Sequence, residues 1–228
     1  MELNELIINR ATIQKEKNSS KEYTYTLLQR MSKQNKLNKI SKGKYTKSVD
    51  IIAIATNLFS PSYLSYWSAS YFKGYTEQII NQIQIITTKR HKSINFMEHT
   101  IQFIPVQSKY FFGFEKIKYG NNFIFVVEDE KLLIDTLTKE KFVGNFDEII
   151  KIFQKTKINK DTLIKYLKKI NNLSLNKRIG YMLEKYKNID LSKEITYKDK
   201  NYAKLSIFLD EKKINKKWMV KLWLQKKN

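Results

Sequence analysis

The chain has 228 residues, 42% hydrophobic and 13% aromatic, enough for one large or two modest domains with buried cores. It contains no cysteine and only two histidines, His91 and His99, which excludes disulfides and thiolate metal sites and argues against zinc. A net charge of +21 favours a polyanionic partner. No apolar run approaches a membrane span and Met-Glu-Leu-Asn-Glu lacks a secretory signal pattern, so a cytoplasmic protein without membrane attachment is expected.

Position says more than total charge, because the basic residues are nearly all lysine and a merely solvated surface also fits that composition. Residues 1–47 and 193–228 are the segments densest in positive charge. In the first of these, Leu3–Ile8 and Thr12–Asn18 read as two short helices, the second with Thr12 as its cap. Ser19, three residues before Glu22, predicts a capped helix running to Leu37, with Thr24, Leu27, Leu28 and Met31 on its apolar face. Ser20, Lys21, Tyr23, Thr26, Arg30 and Lys33 are left for a partner. Asn38-Lys-Ile-Ser-Lys-Gly-Lys-Tyr45 then predicts a hairpin with Gly43 in the turn, Ile40 and Tyr45 packing inward, and Lys42 and Lys44 flanking the tip. Helix, helix, long basic helix and hairpin make a small winged helix-turn-helix over residues 1–47, with double-stranded DNA as the implied partner. The alternative is a capped helix and hairpin packed on a larger domain.

A boundary falls near Lys47 to Asp50, and residues 48–228 read as a second domain. Ile51–Phe59 and Ser62–Phe72 are helix candidates separated by Pro61. Strand candidates follow at Gln82–Thr88, Thr100–Val106, Tyr110–Lys118 and Asn122–Val127. Helical periodicity returns at Lys131–Leu137, Phe146–Thr156, Lys160–Asn171 and Asn176–Tyr186, and short strands are expected at Ala203–Phe208 and Trp218–Leu224. Strands clustered between helices predict an α+β fold with a mixed sheet.

Asp129-Glu130-Lys131, with Glu115 or Glu77, has the residue types of a Mg2+-dependent nuclease, but acidic residues equally suit the first turn of a helix, where they meet its positive end. No nucleotide-binding loop, serine-hydrolase constellation or metal site is legible, and no catalytic role or cofactor is assigned. Arginine is rare, at Arg10, Arg30, Arg90 and Arg178. Arg30 suits a DNA contact and Arg178, beside Gly180-Tyr181, suits a structural ion pair, while Arg90 stays undecided.

The block Tyr63-Leu-Ser-Tyr-Trp-Ser-Ala-Ser-Tyr-Phe-Lys-Gly-Tyr-Thr-Glu-Gln78 resembles one carried by the AbiEi family of transcriptional regulators, the antitoxins of type IV toxin-antitoxin systems. Phe111-Phe-Gly113, Val127-Glu-Asp-Glu-Lys-Leu-Leu-Ile-Asp135, Arg178-Ile-Gly-Tyr-Met-Leu-Glu184, and Leu209-Asp210 with Asn215 and Trp218 resemble later family motifs in the same order. The chain departs from the pattern in an N-terminal module short by about one helix and in Glu130, where many relatives have proline. The resemblance implies a repressor of its own operon that binds a repeated site and opposes a nucleotidyltransferase-like toxin without a stable complex. A DNA-binding regulator acting without a toxin is the alternative, and the nuclease a more distant one.

Overall fold

Ile8, Ile13, Leu27, Leu28, Leu37 and Tyr45 are drawn into one buried cluster with Met31 packed on it. This cluster organises the N-terminal elements of the computed structural model, which describes residues 5–195, 199, 201–208 and 211–223. The elements are β1 (Ile8–Asn9), α1 (Arg10–Lys17), α2 (Lys21–Lys33), β2 (Asn38–Ser41) and β3 (Lys44–Thr46). β3 is the central strand of a small antiparallel sheet. Ile8 lies opposite Tyr45 on one side, and β2 returns on the other through Lys42-Gly43, with Gly43 at φ +77°, a conformation that costs glycine little.

Four expectations for this segment are corrected. The helix predicted over Leu3–Ile8 is absent from its described part, residues 5–8; Ile8 enters a strand, because pairing with Tyr45 buries it completely whereas an isolated turn of helix is unstable. Thr12 lies inside α1 and does not cap it. The cap of α2 is Ser20, not Ser19: its Oγ accepts from the Tyr23 amide at 3.2 Å, while Ser19 Oγ lies 3.0 Å from Thr24 Oγ1. The helix also ends before Leu37. Asn35 adopts a left-handed conformation (φ +55°) and the Lys36 amide donates back to the Met31 carbonyl, a helix-stop motif that turns Leu37 into the core.

The chain continues through α3 (Ile51–Asn57), β4 (Ser62–Leu64), α4 (Tyr66–Phe72), β5 (Gln82–Thr87), β6 (Ile94–Phe96), β7 (His99–Pro105), β8 (Phe114–Tyr119) and β9 (Asn122–Val127). These strands form a six-stranded sheet in the order β6-β7-β5-β4-β9-β8, with β5 and β7 parallel and β4/β5 and β6/β7 antiparallel. Then come α5 (Asp129–Thr138), α6 (Phe146–Lys155), α7 (Lys160–Ile170), α8 (Leu173–Lys187), β10 (Ala203–Lys204), β11 (Glu211–Asn215) and β12 (Val220–Trp223), the last three forming a sheet in the order β10-β12-β11. The fold is α+β with mixed sheets, as expected. The helix predicted over Ser62–Phe72 divides, because Ser62, Tyr63 and Leu64 pair with Thr87, Ile86 and Ile85 and are buried on both faces.

The chain partitions into two compact units. Unit 1 takes the chain up to Leu64, Asn81–Val106 and Lys116–Phe125; unit 2 takes Ser65–Ile80, Gln107–Glu115 and the chain from Val126. Within unit 2, α5 is buried from Glu130 to Leu137, and α6, α7 and α8 supply Phe153, Leu167 and Met182 to the core. Gly180 on α8 is required by its neighbour: a Cβ there would run into the Trp218 ring, and Trp218 is fully buried. Among the described residues no helix is long and apolar enough to cross a membrane.

Candidate nucleic-acid interface

α2 presents two chemically different faces. Thr24, Leu27 and Leu28 are buried, whereas Lys21, Tyr23, Thr26, Arg30 and Lys33 are exposed, as is the capping Ser20. Thr26 Oγ1 donates to the Glu22 carbonyl at 3.0 Å, and Ser20 Oγ accepts at the helix cap. Two residues not foreseen in the sequence share this surface: Tyr25 is half exposed, and Gln29 Nε2 donates to its hydroxyl at 2.7 Å. The signal for Gln29 was present in the spacing, since Glu22, Thr26, Gln29 and Lys33 follow one helical row opposite Leu27 and Leu28.

Arg30 also helps line a concavity of about 440 Å³ formed by Leu27, Arg30, Met31, Gln34, Lys36 and Lys47. Its polar lining is cationic or neutral. An anion held there would meet up to three positive side chains over an apolar floor.

The β2–β3 hairpin differs from expectation at one of its two lysines. Lys42 is exposed at the tip. Lys44 is turned inward, where its ammonium donates to the Leu58 carbonyl and lies 3.7 Å from the centroid of the Phe59 ring. Burial lowers its pKa. Phe59 in turn stacks on His91 (centroids 3.7 Å apart, planes at 17°) and meets Phe103 edge-on at 4.9 Å. Desolvation, then the charges of Lys44 and Lys89, lower the His91 pKa.

No family model matches the chain, and no curated protein does. Among solved structures it is similar to the RV2827C protein from Mycobacterium tuberculosis, with a TM-score of 0.65 at 10% identity, covering 96% of this chain and 86% of that one. The likeness is one of fold.

The acidic segment at 128–130 is taken up by unit 2's own structure. Asp129 accepts from Lys73 Nζ at 2.7 Å, the Tyr75 hydroxyl at 2.6 Å and the Lys157 amide at 2.7 Å; these bonds outweigh the desolvation that would raise its pKa and hold it below the ordinary carboxylate value. Glu128 accepts from the Tyr166 hydroxyl and Glu130 from the Asn159 amide. Lys131 pairs with Asp135 in the interior, and Asp135 also accepts from Ser65 Oγ at 2.8 Å. Each carboxylate thus points to a different structural donor, and among the described residues no three His, Asp or Glu side chains gather to hold a metal. Arg178 forms the buried ion pair expected of it, with Glu140.

Proposed function

We propose that the chain is a winged-helix transcription regulator that reads double-stranded DNA, with α2 as recognition helix and the β2–β3 hairpin as wing. The observation that carries this reading is the exposure of Lys21, Tyr23, Arg30 and Lys33 on one capped helix beside a hairpin tipped by Lys42. A helix of this kind fits the major groove, lysine and arginine can engage phosphates or guanine, and half-exposed tyrosines add apolar contact. The AbiEi-like motif order extends the proposal to a cytoplasmic antitoxin that represses its own operon at a repeated site and opposes a nucleotidyltransferase-like toxin without a lasting complex.

A gel-shift titration of the full chain on the DNA upstream of its own gene tests the first part: a retarded complex that survives competition by random duplex is expected, and its absence overturns the DNA-binding reading. Co-expression with a nucleotidyltransferase-like protein encoded beside it tests the second, with restored growth expected. Specific DNA binding without rescue selects a regulator that acts without a toxin.

The two wing lysines are expected to behave differently. Lys42→Ala leaves melting unchanged and flattens the dependence of log K on log salt by about one unit, the signature of one lost phosphate contact. Lys44→Ala lowers stability by about 1 kcal/mol through loss of the Phe59 and Leu58 contacts, with little change of salt slope. Anisotropy titrations at several salt concentrations with thermal melts check both, and identical behaviour of the two variants would refute the assignment.

A further inference from the structure

The structure ties a second basic segment to the wing. Between β5 and β6 the chain runs Lys89-Arg-His-Lys92; Lys89, Arg90 and Lys92 are exposed, and His91 is the residue stacked on Phe59. Phe59 carries Lys44 of β3 on its ring, so Lys44, Phe59, His91 and Phe103 form a continuous stack within unit 1 from the wing to the base of this loop. The Thr87 hydroxyl donates to the Lys89 carbonyl at 2.7 Å, fixing the loop where it leaves β5.

Charge is segregated to match. No acidic residue occurs from Tyr23 to Val49, the stretch that contains most of α2 and the whole wing, and none from Gln78 to Met97, the stretch that contains the loop. Two acid-free stretches of sequence are thus tied together by an aromatic stack within unit 1. Lys42 at the hairpin tip and Lys89, Arg90 and Lys92 in the loop are exposed cations, which suits a regularly spaced line of phosphates.

We propose that Lys89, Arg90 and Lys92 form a second phosphate-contacting element that continues the wing, so that the duplex is held by the wing tip and the β5–β6 loop together. Resting on the DNA-binding reading above, it assigns to the loop a positioning role without base readout. Phosphate contacts of this kind fix the register of a protein on DNA and carry no sequence information.

The test uses the full chain and a 30-base-pair duplex of random sequence, alongside the DNA upstream of the gene. Lys89→Ala/Arg90→Ala/Lys92→Ala is expected to melt like the parent, to weaken binding to both duplexes by the same factor, and to reduce the slope of log K against log salt by about 2 to 3 units. Lys89→Arg/Lys92→Arg is expected to retain the parental slope, since a phosphate contact needs the charge and not the particular side chain. A parental slope and affinity in the folded triple alanine variant overturn the loop assignment alone, as does loss confined to the upstream DNA. Failure of the parent to bind either duplex overturns both this assignment and the DNA-binding reading.

Discussion

Glu140→Ala is expected to destabilise the protein by about 3 to 5 kcal/mol, the cost of leaving a buried cation without its counter-ion. Glu140 is 4% exposed, and one of its oxygens accepts from the Arg178 guanidinium while the other accepts from the Ser206 hydroxyl and, at 3.0 Å, from the Ile207 amide. Arg178 Nε donates to the Leu205 carbonyl at 2.8 Å. The pair therefore joins α8 to the segment just after β10. Burial lowers the Arg178 pKa to about 10, still well above neutral, so the side chain is charged near pH 7. The double variant Glu140→Gln/Arg178→Met removes both charges and should lose much less than Glu140→Ala. Urea denaturation followed by circular dichroism distinguishes these outcomes. Equal losses in the single and double variants would mean that packing, and not the ion pair, sets the cost.

The Arg178 pair was legible in the sequence because arginine is rare here and Gly180-Tyr181 beside it marks a packed helix. Its partner was not, since Glu140 is one acidic residue among 22 and lies 38 positions away. The same contrast holds across the fold. The β2–β3 hairpin, α3 and α5 to α7 lie close to their expected places because their signals are local: a glycine turn, a cap, a helical period. The β4 segment reads as helix in the sequence because three buried residues carry no period of their own, and only pairing with β5 makes them a strand. β6 is only three residues long and β11 has one apolar residue in five, too little for either to stand out. At the candidate interface, the outward side chains of α2 followed from its apolar row, but the burial of Lys44 depended on Leu58 and Phe59, and the link to His91 on a stack spanning 47 residues from β3. Long-range packing of this sort has no sequence period.

The DNA-binding reading meets its sharpest test in α2. Lys21→Ala/Arg30→Ala is expected to weaken binding to the specific site by about 2 to 4 kcal/mol, taking about 1 to 2 for each contact, with melting unchanged because both side chains are exposed. The two residues are nine positions apart, about 13 Å along the helix axis, a span that lets one helix touch well-separated points in a groove. Arg30 carries the more specific expectation. It is the only arginine of α2, and its planar fork can meet O6 and N7 of a guanine together, which an ammonium cannot reproduce. Arg30→Lys should therefore keep the salt slope of the parent and still lose discrimination between the specific site and random duplex. Had Arg30 served only a phosphate, Lys would restore both. Affinities of the parent, the two single alanine variants, the double variant and Arg30→Lys, measured on both duplexes at several salt concentrations, separate these cases. Unchanged affinity of the folded double variant for its specific site would remove α2 from the recognition role and leave the basic surface of unit 1 as a site of general polyanion attachment.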